Sequence, residues 1–277
     1  ASLTGYFRAQ GVDAHALPHL SAHALSLGRA ETGAKEYLPF PALLGGILAQ
    51  QEADPAPAQF LIPQTQGAEA DGQYARVIRA VLDRRGNKRA KLVSPMLETL
   101  PATAQDRDAL FRALLAGDIL YAAPAAMRAG IAAAWDTLPG WAQLHKAAVE
   151  IGRCPATGRR LATVGTPLCL TELDSGVLST LEAEGSQLLR APLSEALWFL
   201  WKDNMDANKP CAKWLEQMAQ EMQTIGAELG AHSTFAQDTA ALFETADTIL
   251  PHFAGGNGRY RYAKAVELSG QIGRAHV

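Results

Sequence analysis

Residues 59–86 read Q-F-L-I-P-Q-T-Q-G-A-E-A-D-G-Q-Y-A-R-V-I-R-A-V-L-D-R-R-G. Phe60, Leu61 and Ile62 make a short apolar run closed by Pro63, which predicts a buried strand. A polar loop containing Gly67 and Gly72 follows. Tyr74, Val77, Ile78, Val81 and Leu82 then recur at helical spacing until Gly86 ends the helix. Strand, glycine loop and helix in this order put the loop at the carboxyl end of a parallel strand, where open α/β sheets bind ligands. Glu69 and Asp71 fall just before the helix, where its dipole favours negative charge. Acids at such a position also serve simply as caps.

Working outward, residues 5–11 read as the tail of a helix, and the alternation over 12–18 predicts a strand after Gly11. His15, His19 and His23 recur every fourth residue, but Pro18 argues against one continuous helix and no carboxylate or cysteine set completes a metal site. Pro41 suits the first turn of a helix over 42–51. A Pro/Ala linker at 54–58 leads into the central unit. A strand at 91–94 and helical stretches at 109–120 and 127–151 complete an alternating β and α pattern, which argues for a parallel sheet. Glycine and proline in 152–160 predict a boundary.

Beyond it, a strand over 161–165, a helix over 177–184 closed by Gly185 and a strand over 187–190 form a second βαβ unit. Gly165-Thr166-Pro167 lacks a dinucleotide fingerprint or a phosphate-loop lysine. The expected fold is therefore α/β, with two Rossmann-like parallel-sheet units and additional helices. Residues 1–155 form the first unit and 156–271 the second. Residues 272–277 resemble one reading frame of a sequencing adapter, and the chain reads as a piece of a longer protein.

In the second unit, Leu197, Trp198, Leu200 and Trp201 predict an apolar face under a lid or a docking partner. Helices follow over 211–229 and 235–250, and the stripe Trp214, Leu215, Met218, Met222, Ile225 has core spacing. Gly256, Asn257, Arg259 and Arg261 open the last helix. Glycines with two arginines there form a candidate anion cradle; the plainer alternative is a tight turn with arginines in water or in structural ion pairs.

Composition narrows the class. Hydrophobic residues make up 48% and charged residues 19% of the 277, as in globular proteins. A net charge of −3 gives no electrostatic case for nucleic acid or an acidic membrane as partner. No apolar run approaches membrane-spanning length. Three scattered cysteines, Cys154, Cys169 and Cys211, make no disulfide framework, and a reducing cytoplasm is the expected setting.

K-E-Y-L-P-F-P-A-L-L-G (35–45) resembles the K-E-C-x-P-F-Q-x-x-x-G segment of the 2-hydroxyacyl-CoA dehydratase and activator proteins. G-A-E-A-D-G-Q-Y (67–74) resembles their G-P-C-R-F-G-Q-Y, in the family's order, and 161–195 looks like their second Rossmann-like segment. The resemblance implies a [4Fe–4S] cluster held by the two motif cysteines, serving ATP-driven electron delivery to an acyl-CoA. Here Tyr37 and Glu69 stand in those two places. Phenol and carboxylate are hard oxygen donors, whereas cluster iron needs thiolates, so the expectation is no cluster and no metal held by these residues.

The leading reading is a non-cluster relative that binds a CoA ester, another anion or a partner subunit in the crevice between the units. Lys35, Glu36, Tyr37, Gly67, Glu69, Gly72, Gln73 and Tyr74 line the crevice, with Gly256, Asn257, Arg259 and Arg261 as the positive end. One alternative is an electron-transfer or dehydratase component whose cluster ligands lie elsewhere in a longer protein. Another is a structural module that docks a neighbouring domain through Trp198 and Trp201.

Overall fold

A computed structural model describes residues 2–17, 20–33, 36, 38–64, 70–96, 104–135, 137–156, 158–164, 177–203, 213–249 and 257–272. The first elements are α1 (Ser2–Ala9), α2 (Ala22–Ala30), α3 (Pro39–Ala53), β1 (Ala58–Leu61), a 3-10 turn (Ala70–Gln73), α4 (Tyr74–Arg84) and β2 (Ala90–Val93). Next come α5 (Ala104–Ala122), α6 (Ala125–Ala134), α7 (Trp141–Gly152), β3 (Arg160–Thr163), α8 (Val177–Ala183) and β4 (Gln187–Arg190). The chain ends with α9 (Leu193–Asp203), α10 (Lys213–Leu229), a 3-10 turn (Gly230–His232), α11 (Thr239–Ile249) and α12 (Asn257–Ile272). The class is mixed α/β, mostly helical, with two small parallel sheets.

Both expected βαβ units have their strands in parallel. Phe60 pairs with Leu92 in β1–β2, and Leu161 with Leu188 in β3–β4. Each helix leading back ends on a left-handed glycine, Gly86 (φ 67°) after α4 and Gly185 (φ 87°) after α8. At Gly86 this conformation lets Asn87 N–H reach the Leu82 carbonyl at 2.8 Å, which closes the helix end. α4 is apolar on one side because Ile78, Val81 and Leu82 repeat at helical spacing, and all three are buried.

Around the first sheet, Phe40, Leu44, Ile47 and Leu48 of α3 pack with Phe60, Ile62, Ile78, Val81, Leu82 and Ala90. α2 lies against α3 at backbone distance. A Cβ on Gly28 would sit 1.8 Å from the Pro41 carbonyl oxygen, and one on Gly45 would sit 1.8 Å from that of Ala24. Only glycine permits that approach at both positions. α2 was not legible as a helix in the sequence. Ser21 caps it, accepting from Ala24 N–H at 3.0 Å, and contact with α3 stabilises it.

A larger core joins Tyr6 of α1 with residues of α5, α7, α9, α10, α11 and α12. Helices on both sides of Gly152 share it, so the packing does not follow a division at 155/156. Residues 12–17 hold no strand; their alternation lies outside any sheet. The stretch over 127–151 is two helices, α6 and α7, separated around Leu138, Pro139 and Gly140. Gly140 starts α7, and Gln143 Oε1 accepts from its N–H at 2.8 Å.

The apolar face expected on 197–201 is covered by the chain itself. Trp198 is 1% exposed and Trp201 6%. The Trp198 indole donates to the Leu215 carbonyl at 2.9 Å, and Trp201 meets Trp214 edge-on at 5.3 Å. Neither indole is available to dock another domain. The stripe Leu215, Met218, Met222, Ile225 is core, as its spacing indicates.

Candidate functional site: the mouth of the first parallel sheet

The carboxyl end of β1 gathers the described parts of both motif segments. α3 runs into β1 through residues 54–57, and α4 returns from it, so both helices begin at the strand's carboxyl end. Phe40 in the first turn of α3 and Tyr74 at the start of α4 pack ring to ring, with centroids 5.1 Å apart. Thirty-odd residues apart in sequence, the two segments meet there.

Parallel pairing continues past β1 and β2 as a bridge between Gln64 and Met96. Gln64 Nε2 donates to Ser94 Oγ at 2.6 Å, and that hydroxyl donates to the Ile62 carbonyl at 2.7 Å. These bonds hold the floor of the mouth in place. Glu36 and Gln73 are exposed, while Gly72 and Tyr74 are half-buried. Lys35, Tyr37, Gly67 and Glu69 lie outside the described residues, as does Gly256.

Arg259 is not part of this site. Its guanidinium is fully buried in the larger core, paired with Asp203 and Asp247. The anion cradle expected at 256–261 is therefore overturned at its central residue, because two carboxylates already occupy that cation and no solvent reaches it. Asn257 and Arg261 belong to α12 on the same core.

α12 instead contributes to a buried polar cluster that the sequence reading missed. Lys264 Nζ lies 2.8 Å from Glu195 Oε1 and 2.8 Å from Glu267 Oε2. Glu195 Oε2 accepts from Ala236 N–H at 2.6 Å. The Tyr260 hydroxyl lies 3.0 Å from both Glu195 Oε1 and the Pro192 carbonyl. Burial, then the charge on Glu195, holds the Tyr260 phenol well above its usual value. Asp118 of α5 caps α9 from outside, accepting from Leu193 N–H and Ser194 N–H at 2.8 Å each and from Ser194 Oγ at 2.6 Å. Burial pushes its carboxyl up to about 7, against the pull of those three bonds. The signal for this cluster was available in part: Tyr260 and Lys264 are four residues apart on one helix, so they share a face. With Tyr260 and Lys264 no more than 1% exposed, these groups fasten α9 to α12 rather than meet a substrate.

The histidines form pairs with separate partners. His15 Nε2 lies 2.8 Å from Asp13 and His23 Nε2 2.9 Å from Glu52; His19 lies outside the described residues. His145 bridges α7 to α10, with Nδ1 2.8 Å from Glu228 and Nε2 3.0 Å from Glu221. His232 Nε2 donates to the Cys154 carbonyl (3.0 Å) and its Nδ1 accepts from Gln187 Nε2 (3.1 Å), which ties the start of β4 to the end of α7. Each of these rings spends its nitrogens on a different partner.

Tyr37 and Glu69, the two positions matched to the family's cysteines, carry oxygen donors where cluster iron takes thiolate, and both lie outside the described residues. Cys154 is half-buried at the end of α7, with Sγ 3.4 Å from Met127 Sδ, away from both motifs. Among the described residues, no group of three or more His, Cys, Asp or Glu is arranged to hold a metal ion. No helix among them is long and apolar enough to cross a membrane. No family model, curated protein or solved structure matches the chain.

Proposed function

We propose that this chain is a cluster-less relative of the dehydratase and activator proteins that binds a CoA ester at the mouth of β1. The meeting of Phe40 and Tyr74 carries this reading, since it joins the two segments on which the resemblance rests. The position supports it too: the carboxyl end of a parallel strand, with two helices starting there, favours an anionic ligand. Glu36, Gly72, Gln73 and Tyr74 are the described residues of the site. Lys35 supplies the cation in this proposal, a role that Arg259 cannot fill. A free anion or a partner subunit at the same mouth are the neighbouring possibilities.

Calorimetric titration with acetyl-CoA tests the reading. The chain is expected to bind it. Gln73→Ala and Lys35→Gln are each expected to weaken binding by about tenfold, the effect of losing one hydrogen bond to a charged group. Tight binding of inorganic phosphate without acetyl-CoA binding would make the mouth an anion site only. No binding, or wild-type affinity in both variants, would overturn the proposal.

A further inference from the structure

The charge of the chain is very unevenly distributed. The sixteen residues 76–91 hold seven basic side chains and one acidic, net +6, which leaves −9 for the remainder of a chain whose total is −3. Arg84 ends α4, Arg85, Lys88 and Arg89 lie in the turn between α4 and β2, and all four are exposed. Such a run is often only a solvated face. Here the backbone beneath it is fixed. Gly86 N–H reaches Asp83 O at 2.9 Å and Asn87 N–H reaches Leu82 O at 2.8 Å. The Asn87 side chain then accepts from Arg89 N–H at 3.1 Å and Ala90 N–H at 3.2 Å. Arg89 in turn gives its carbonyl to Ala58 N–H of β1 at 3.1 Å.

Local acids neutralise only part of the charge. Glu31 sits between Arg84 (2.6 Å) and Arg85 (3.4 Å), and Asp83 faces Arg79 at 3.7 Å. Among the described residues, neither Lys88 nor Arg89 has a carboxylate in contact. A hydrogen-bonded turn therefore presents two cations without a carboxylate in contact beside a partly compensated pair, which lowers the cost of ordering its backbone on binding.

We propose that this turn is a docking surface for an acidic segment of a partner protein. A short acidic segment confined to the turn feels mainly the local positive charge, because screening at physiological salt acts over about 8 Å. A long nucleic acid would extend past the turn along a chain whose other residues sum to −9. The turn lies at the amino end of β2, opposite the mouth where the CoA ester is placed, so the two sites are independent and can be occupied together.

Fluorescence anisotropy with a labelled glutamate heptamer, and with a single-stranded thymidylate heptamer of similar charge, tests the proposal. The chain is expected to bind the peptide more tightly than the oligonucleotide, with affinity falling as salt rises. Lys88→Gln/Arg89→Gln should weaken the peptide roughly three- to tenfold, the effect of two exposed ion pairs. Lys88→Glu/Arg89→Glu should abolish binding. Both variants leave the Glu31 pairs in place, and an unchanged unfolding midpoint confirms an intact fold. Wild-type peptide affinity in the variants, or tighter binding of the oligonucleotide, would overturn the proposal.

Discussion

Lys264 Nζ lies 2.8 Å from Glu195 Oε1, and neither side chain reaches solvent. The pair joins α12 to the first turn of α9, which is buried along its length by the larger core. Lys264→Met would leave Glu195 charged and buried, and is expected to cost about 3–5 kcal/mol in urea unfolding. Replacing both residues by apolar ones of similar size should recover much of that loss. A single variant less than about 1 kcal/mol below wild type would contradict the tight coupling of the two helices.

Two groups give the fold a pH dependence of the same sign in adjacent windows. Asp118 loses its proton at about 7 in the folded chain, against an ordinary 3.8. Between those values the folded state holds the extra proton, so this contribution declines as pH rises through that range. Asp118→Asn is expected to flatten the stability profile there. A slope equal to wild type would remove Asp118 from the account.

For His145, burial lowers the affinity for a proton, but the hydrogen bonds of Glu228 and Glu221 outweigh it and the net direction is up. Its contribution is complete below the ordinary histidine value and is lost as pH rises through the folded value. His145→Gln should remove the decline that begins at the ordinary histidine value and leave the more acid range unchanged. Denaturant midpoints measured from pH 5 to 9 separate this window from that of Asp118.

The close crossing of α2 and α3 makes a graded prediction about glycine. Gly28→Ala or Gly45→Ala must push the helices apart and should cost roughly 1–3 kcal/mol. Gly130 lies in α6 with nothing near its missing Cβ, so Gly130→Ala should stabilise by up to about 1 kcal/mol through helix propensity alone. Equal effects at Gly28 and Gly130 in thermal unfolding would contradict the packing described.

Both βαβ units were legible because each rests on local signals: the apolar run at 60–62, the Leu188–Leu189 pair within 187–190, helical stretches between the strands, and Gly86 and Gly185 at the turns. The role of Arg259 was not. Its partners, Asp203 and Asp247, lie 56 and 12 residues away, and nothing in G-G-N-G-R-Y-R separates an anion cradle from a buried ion pair. The same holds for α9, whose tryptophans read as an open face because α10 and α11, which cover them, come later in the chain. At the mouth of β1, Phe40 against Tyr74 is a contact that periodicity alone does not give.

The central claim is a CoA-ester site without cluster chemistry, and iron and acid-labile sulfide content after anaerobic reconstitution tests it most directly. With Tyr37 and Glu69 in place of thiolates, the account predicts no stoichiometric iron or sulfide, and acetyl-CoA binding unchanged by the reconstitution. Four irons and four sulfides per chain, the content of one intact cluster, would contradict it and move the electron-transfer reading ahead.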